Sequence, residues 1–320
     1  MRTPFSSDIL QNKEKNMDIC VLLVTYNRKS DLQKTLALYE DQTHKPRSII
    51  VVDNHSTDGT DKVLAEWART VADVRHTVIS MPENVGGSGG FCEGMRYATG
   101  LTHEWIFVSD DDAFPRLDTL EVLSDFANKH EDLVAECAAL CCAVDAGGHF
   151  AVGHRARINK KSIVGMLDKP VDPEDYEKEF FEVDLFSYIG ACVRKSALKK
   201  AGLPRREFFI YSDDFEHALR VGKYGKILCI PSAVLLHSDN NPYSRAASWR
   251  DYYATRNVLI TYREHFGALA ACRRATLRRL TALRSMNPSK IKVINEAIKD
   301  AKRGVTGLHP IYRPGWEERK

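Results

Sequence analysis

Three aspartates stand side by side at Asp110, Asp111 and Asp112, straight after the apolar run "WIFVS". Adjacent carboxylates repel one another, and two of them two positions apart at a strand end point the same way. A cation relieves that repulsion. Oxygen ligands with few other protein contacts suit Mg²⁺ or Mn²⁺, above all where substrate phosphates complete the shell. The plainer alternative is a solvated acidic turn or helix start, where aspartate is favoured by the helix dipole. A second feature lies just upstream. "ENVGGSGGF" carries four glycines within five positions. They permit close backbone approach and a helix start that favours anions, with a flexible turn as the alternative. The stretch lacks the GK[ST] ending of a phosphate-binding P-loop and follows a third strand rather than a first, so it is not a dinucleotide fingerprint.

The elements that position these residues are readable from the pattern. "ICVLLVT" (19–25), "SIIVVD" (48–53), "VRHTVIS" (74–80) and "WIFVS" (105–109) are apolar, β-branched runs of strand length. Between them lie a helical pattern near 32–39, the helix "DKVLAEWART" behind the turn "NHSTDGT", and the helix "FCEGMRYATG". Strand alternating with helix over short links predicts an α/β domain with a parallel sheet. The polar groups gather after the strands, at 25–28, 53–58, 84–90 and 110–112. Ligands bind in that crevice in open α/β sheets. The second half is less regular. "ECAALCCAV" and "HFAVGHRARI" read as a strand pair, and 167–183 as a charged loop. "FEVDLFSYIGACVRKSALKKAGL" gives a strand and a short helix, and a helix follows at about 213–222. "KILCIPSAVLLHSD" gives strands ending at His237. The pattern is helical from Trp249 to the mid-280s and again from Pro288 to Arg303.

Composition sets bounds. The chain has 320 residues, 43% hydrophobic and 28% charged, with formal net charge +3. That is an ordinary globular balance with length for a sizeable core. No apolar stretch reaches the roughly 18 residues that span a bilayer, and no signal-peptide pattern is visible at the start. The eight cysteines form no CxxC pair, so free core thiols in a reducing compartment are expected rather than disulfides or zinc. Charge is uneven: the last fifty residues net +9 and the rest −6.

In combination, "VTYNR", "VVDNHSTDGT", "SDDD" and "YSDDFEHALR" resemble the motifs of the family-2 inverting glycosyltransferases over residues 19 to 260. That resemblance implies the GT-A fold, a Rossmann-like mixed sheet flanked by helices. "NVGGSGGF", the triple aspartate, "LLHSD" and "DYYATRN" further resemble bacterial galactofuranosyltransferases and their rhamnosyltransferase relatives. The implied reaction takes a sugar, galactofuranose from its UDP donor, onto a glycan or lipid-linked glycan in cell-surface polysaccharide synthesis. A dTDP-rhamnose donor is the alternative within the family. Outside it stand a nucleotidyltransferase, for which "YNRKSD" is a thin activating loop, and a non-catalytic sugar-binding module. The expected organisation is an N-terminal extension (1–17), a GT-A catalytic domain (18–248) and a C-terminal helical, basic region (249–320).

The resemblance carries roles to single residues. Asp110, Asp112 and His237 match metal ligands for Mn²⁺ or Mg²⁺, which stabilises a departing diphosphate. Asp111 reaches the donor sugar or ribose. Thr25, Arg28, Asp53, Asn84 and Gly87 line the nucleotide pocket, though Asp53 with Ser56 or Thr57 also reads as turn capping. Asp214 matches the base that takes the acceptor proton, and its neighbour Asp213 raises its pKa, as a base needs. Asp213 contacts the acceptor or positions the loop. For Glu216 the dipole role at a helix N-terminus is preferred. Trp249, Tyr252 and Tyr253 offer an acceptor platform or, at helical spacing, a core face.

"ACRRATLRRLTALRSM" sets Leu277, Leu280 and Leu283 among arginines. This basic amphipathic pattern suits an anionic membrane surface; the alternative is a packed helix with a solvated basic face. A cytoplasmic protein, peripheral on the inner face of the cell membrane, is the matching expectation. No recognition motif accompanies the charge, so nucleic acid is not expected as a partner.

Overall fold

The computed structural model describes residues 16–70, 73–159, 168–238, 246–316 and 318, so the expected N-terminal extension lies outside it up to residue 15. The first half alternates as its periodicity predicts: β1 (Ile19–Thr25), α1 (Lys29–Glu40), β2 (Ser48–Asp53), α2 (Thr60–Trp67), β3 (Arg75–Ser80), α3 (Gly86–Thr99) and β4 (Trp105–Asp110). Next come β5 (Phe114–Pro115), α4 (Thr119–Lys129), α5 (Glu131–Ala135), β6 (Cys137–Asp145), β7 (Arg155–Ile158) and β8 (Asp168–Pro170). They are followed by β9 (Phe181–Val183), β10 (Leu185–Phe186), β11 (Ala191–Arg194), α6 (Lys195–Ala201), α7 (Asp213–Val221) and β12 (Lys226–Leu236). Three helices end the chain: α8 (Trp249–Phe266), α9 (Ala268–Arg284) and α10 (Pro288–Arg303).

The main sheet runs β3-β2-β1-β4-β11-β6-β12-β5, with β9 also on β12. The strands β3, β2, β1 and β4 are parallel, and β11 is antiparallel to both β4 and β6, so the sheet is mixed. Every residue of β1 and β2 is buried, which explains their unbroken apolar runs. Leu32, Leu36, Tyr39 and Leu64 pack one face, and Phe91, Met95 and Ala218 pack the other. All eight cysteines are free; seven are buried and Cys272 is exposed.

Several second-half expectations change. β7 does not pair with β6 but joins β8 and β10 in a separate antiparallel sheet, and Phe150 makes only an isolated bridge to Asp145. The stretch expected as loop holds β8, a 3₁₀ turn at Pro173–Glu177 and β9. Strands of two to four residues have no period to read. The glycine run is not a turn before a helix, because α3 begins at Gly86 itself. A Cβ on Gly94 would lie 2.3 Å from Leu22 Cδ1, so glycine here lets α3 press onto β1. The single helix expected from Trp249 to the mid-280s is two, broken at Gly267 with φ +87°.

Candidate active site

β1 is flanked by β2 on one side and β4 on the other, so the chain reverses its order across the sheet at β1. Crevices open at such switch points. Register places the polar ends together: Thr25 is opposite Asp53, and Val24 opposite Asp110. A cleft of about 420 Å³ lies there, walled by Thr25, Arg28, Asn84, Gly87 and the three aspartates on one side. Phe209, Ile210, Trp249, Arg250, Pro314 and Gly315 complete it.

The aspartates differ. Burial raises the Asp110 pKa, opposed by the charges of His237 and Arg28. Burial also pushes Asp111 up to about 7. Its Oδ2 accepts from Thr25 Oγ1 at 2.6 Å and it is only 5% exposed, so within the cleft wall this side chain is tied to the end of β1. Asp112 is paired with the Arg28 guanidinium, and its Oδ1 lies 3.6 Å from His237 Nε2. His237 Nδ1 is buried and, among the described residues, has no hydrogen-bond partner. Two carboxylates and an imidazole left with an unspent nitrogen fit a divalent cation. The three do not bring ligand atoms within 4.8 Å of one another, so the set is not pre-closed, and Arg28 holds part of Asp112.

Asp53 is 4% exposed, its Oδ1 accepts from Ser56 N at 3.0 Å, and it is not in the cleft wall. The capping role is the one it performs here. Its neighbour Asn54 lines the cleft, donates to Asn84 Oδ1 at 3.1 Å and accepts from Val85 N at 3.0 Å. Gly86, with φ +74°, follows; a Cβ there would sit 1.9 Å from Phe209 O. At Gly87 a Cβ would meet nothing within 4 Å, as befits a residue facing open cleft.

Asp213 and Asp214 open α7 behind the segment that forms the far wall. Burial raises both pKa values; Asp214 adds to the shift of Asp213, and Asp110 raises both. Arg155 supplies a modest opposing charge to Asp214. The pair therefore sits within the field of the first carboxylate cluster. Glu216 is otherwise engaged than expected. It is 3% exposed, held by Arg220 at 2.8 Å and His265 at 3.2 Å, which together bring it down to about 2 against the burial cost. Glu216, Glu264 and His265 place ligand-type atoms within 4.8 Å of one another, but Arg220 and Arg205 already neutralise the two glutamates.

Trp249 reaches the cleft wall. Tyr252 does not: it is fully buried and its hydroxyl donates to Asp300 Oδ2 at 2.7 Å, so it serves the C-terminal core rather than an acceptor. Tyr253 is buried likewise, with its hydroxyl on Tyr312 O at 2.8 Å. Asn54 belongs to the polar stretch 53–58 past the end of β2, whereas Phe209, Ile210, Arg250, Pro314 and Gly315 enter the cleft with no signal in the sequence.

Residues 20–166 match the family described as glycosyl transferase family 2. The chain carries a family-2 glycosyltransferase domain. The chain is 26% identical over 207 residues to galactofuranosyltransferase GlfT1 of Mycolicibacterium smegmatis, covering 65% of this chain and 66% of that protein. It is also 26% identical over 292 residues to the N-acetylglucosaminyl-diphospho-decaprenol L-rhamnosyltransferase of Mycobacterium tuberculosis, covering 83% and 91%. The match to the first of these spans just under two thirds of the relative's length. In three dimensions the chain shares the GT-A fold of a Pyrobaculum calidifontis mannosyltransferase solved with GDP-Man and Mn²⁺. The TM-score is 0.57 at 17% identity, over 91% of this chain and 76% of that one.

Proposed function

We propose that this protein is a metal-dependent inverting glycosyltransferase that moves galactofuranose from UDP-galactofuranose onto a lipid-linked glycan acceptor. dTDP-rhamnose is the alternative donor, which the rhamnosyltransferase relative favours. The observation that carries the reading is the adjacent pair of buried Asp213 and part-buried Asp214 at the start of α7, both raised in pKa by desolvation and by the charge of Asp110 in the cleft cluster. A sugar-binding module has no use for two desolvated carboxylates of raised pKa near a second carboxylate cluster.

Each residue then has a task. Asn84, Gly87 and Thr25 shape the nucleotide side, and the partly exposed Arg28 is the cation that meets the diphosphate. Asp110, Asp112 and His237 would hold Mn²⁺ or Mg²⁺, which when bound offsets charge on the leaving diphosphate. Asp214 accepts the proton of the attacking acceptor hydroxyl, and its raised pKa makes it a willing acceptor near neutrality. Trp249 offers a face to the acceptor sugar.

A membrane-borne acceptor fits the C-terminal helices. No described helix is long and apolar enough to cross a membrane. On α9, Leu269, Leu280 and Leu283 are exposed, with Arg279 and Arg284 exposed beside them. Helical spacing puts these three leucines on one outward stripe. Apolar side chains framed by arginines suit the boundary of an anionic bilayer.

A transfer screen with UDP-galactofuranose, dTDP-rhamnose, UDP-GlcNAc and GDP-mannose, with and without Mn²⁺, tests the reaction. Turnover of no nucleotide sugar would end the reading, and preferential use of dTDP-rhamnose would replace the donor. Sedimentation with phosphatidylglycerol vesicles tests the surface. Leu280→Asp with Leu283→Asp should abolish binding, and equal binding by the double variant would refute it.

A further inference from the structure

The stretch "DYYATRN" contributes two residues that the site so far leaves without a task, Arg256 and Asn257 of α8, both fully buried. Asn257 Nδ2 lies 2.9 Å from Phe208 O, 2.8 Å from Ile210 O and 2.9 Å from Tyr211 O. One amide nitrogen thus serves three carbonyls of a single segment with its two hydrogens. Arg256 fixes which way the amide faces: its Nε donates to Asn257 Oδ1 at 2.9 Å. Its other nitrogens reach Phe208 O at 3.2 Å and Gly307 O at 2.7 Å. A buried guanidinium and amide are costly ways to fill a core unless their hydrogen bonds define something.

What they define is an unfavourable backbone path. Phe209, Tyr211 and Ser212 all have positive φ, at +67°, +66° and +64°, a region that side chains with a Cβ disfavour. The next two residues are Asp213 and Asp214. The opposite side of the segment is held too: Phe209 O accepts from Ser88 N at 3.1 Å, and Gly86 leaves room for that carbonyl. The segment is therefore clamped between α8 and the start of α3, and Phe209 and Ile210 face the cleft.

We infer that Arg256 and Asn257 are positioning residues that hold segment 208–212 in its left-handed path and so fix where Asp213 and Asp214 stand, directly behind the cleft wall formed by Phe209 and Ile210. The kinetic part of this rests on the sugar-transfer reading; the conformational part does not. The test compares Asn257→Ala, Asn257→Ser and the double variant Asn257→Ala/Ser212→Gly. Turnover at saturating donor, UDP and Mn²⁺ affinity by calorimetry, and amide hydrogen exchange are measured for each. Asn257→Ala should lose turnover on the order of 10²-fold, as a small misplacement of a reacting group does, with UDP and Mn²⁺ affinities within about three-fold. Exchange at 209–214 should quicken while that of β1 and β4 is unchanged. Asn257→Ser, which keeps one donor, should fall between, and it carries the comparison if the alanine variant does not fold. Ser212→Gly should restore several-fold of the lost turnover, because glycine takes positive φ without penalty. Unchanged exchange at 209–214, a turnover loss matched by lost UDP affinity, or no rescue by Ser212→Gly would overturn the inference. If the wild-type protein turns over no nucleotide sugar, the transfer reading fails, and the exchange data alone still decide whether the pair holds the segment.

Discussion

Replacing Asp214 by asparagine separates catalysis from stability, because the two should move in opposite directions. The substitution keeps shape and removes the proton acceptor. Loss of a general base costs about 10²- to 10⁴-fold in rate, or about 3–5 kcal/mol of transition-state stabilisation. The folded state should gain. Asp214 is desolvated and feels the charge of Asp110, so its ionised form is disfavoured in the fold. Each unit of upward shift is about 1.4 kcal/mol, so a neutral isostere should stabilise the protein by about 1–3 kcal/mol at pH 7. At about 2–4 °C per kcal/mol for a large domain, the melting temperature should rise by a few degrees. The sign with pH follows from the raised folded pKa. Below the unfolded value near 3.8 both states are protonated and wild type and variant should be equally stable. As pH rises, the unfolded chain ionises first, the wild type loses stability, and the difference grows until the folded pKa is passed. Wild-type transfer should in turn fail as pH falls through that raised pKa. The assays are single-turnover transfer, UDP and Mn²⁺ calorimetry, and thermal melts from pH 3.5 to 8. Transfer surviving in Asp214→Asn but lost in Asp213→Asn would move the base by one residue. A lower melting temperature at pH 7 would refute the account of the buried charge.

Other outcomes follow from the same geometry. Asp112→Asn should weaken Mn²⁺-dependent UDP binding at least tenfold by calorimetry and leave the melting temperature close to wild type, because the Arg28–Asp112 pair is partly exposed. Gly86→Ala would set a Cβ against Phe209 O at positive φ and should cost on the order of 2–4 kcal/mol in denaturant unfolding. Glu216→Gln should cost about 2–3 kcal/mol at neutral pH. The wild type's advantage should disappear as pH falls from the ordinary glutamate value of 4.5 through about 2 in acid-unfolding titrations, since the depressed pKa stabilises only the ionised form.

The amino-acid sequence by itself determined the first half of this fold and most of the cleft's chemistry. Buried parallel strands must be apolar throughout, so β1, β2 and β4 announce themselves, and the polar residues that end them fall at the switch point by topology alone. Thr25, Asn84, Gly87 and the three aspartates were legible for that reason. The tertiary structure decided which carboxylates face the cleft. Alternation along four residues at a strand end cannot say that Asp111 is tied to Thr25 while Asp112 pairs with Arg28, or that Asp53 caps its own turn. It also decided the far wall. Trp249 and Tyr252 share one helical face in sequence, yet α10 and the C-terminal segment bury Tyr252 against Asp300 and leave Trp249 at the cleft. Pro314 and Gly315 reach the same cleft from some two hundred residues beyond the aspartates. The left-handed run ahead of Asp213 is the furthest from prediction, because local propensity opposes it. Hydrogen bonds from Asn257 and Arg256, more than forty residues later, and from Ser88 N, more than a hundred residues earlier, meet its carbonyls, and none of these partners is local.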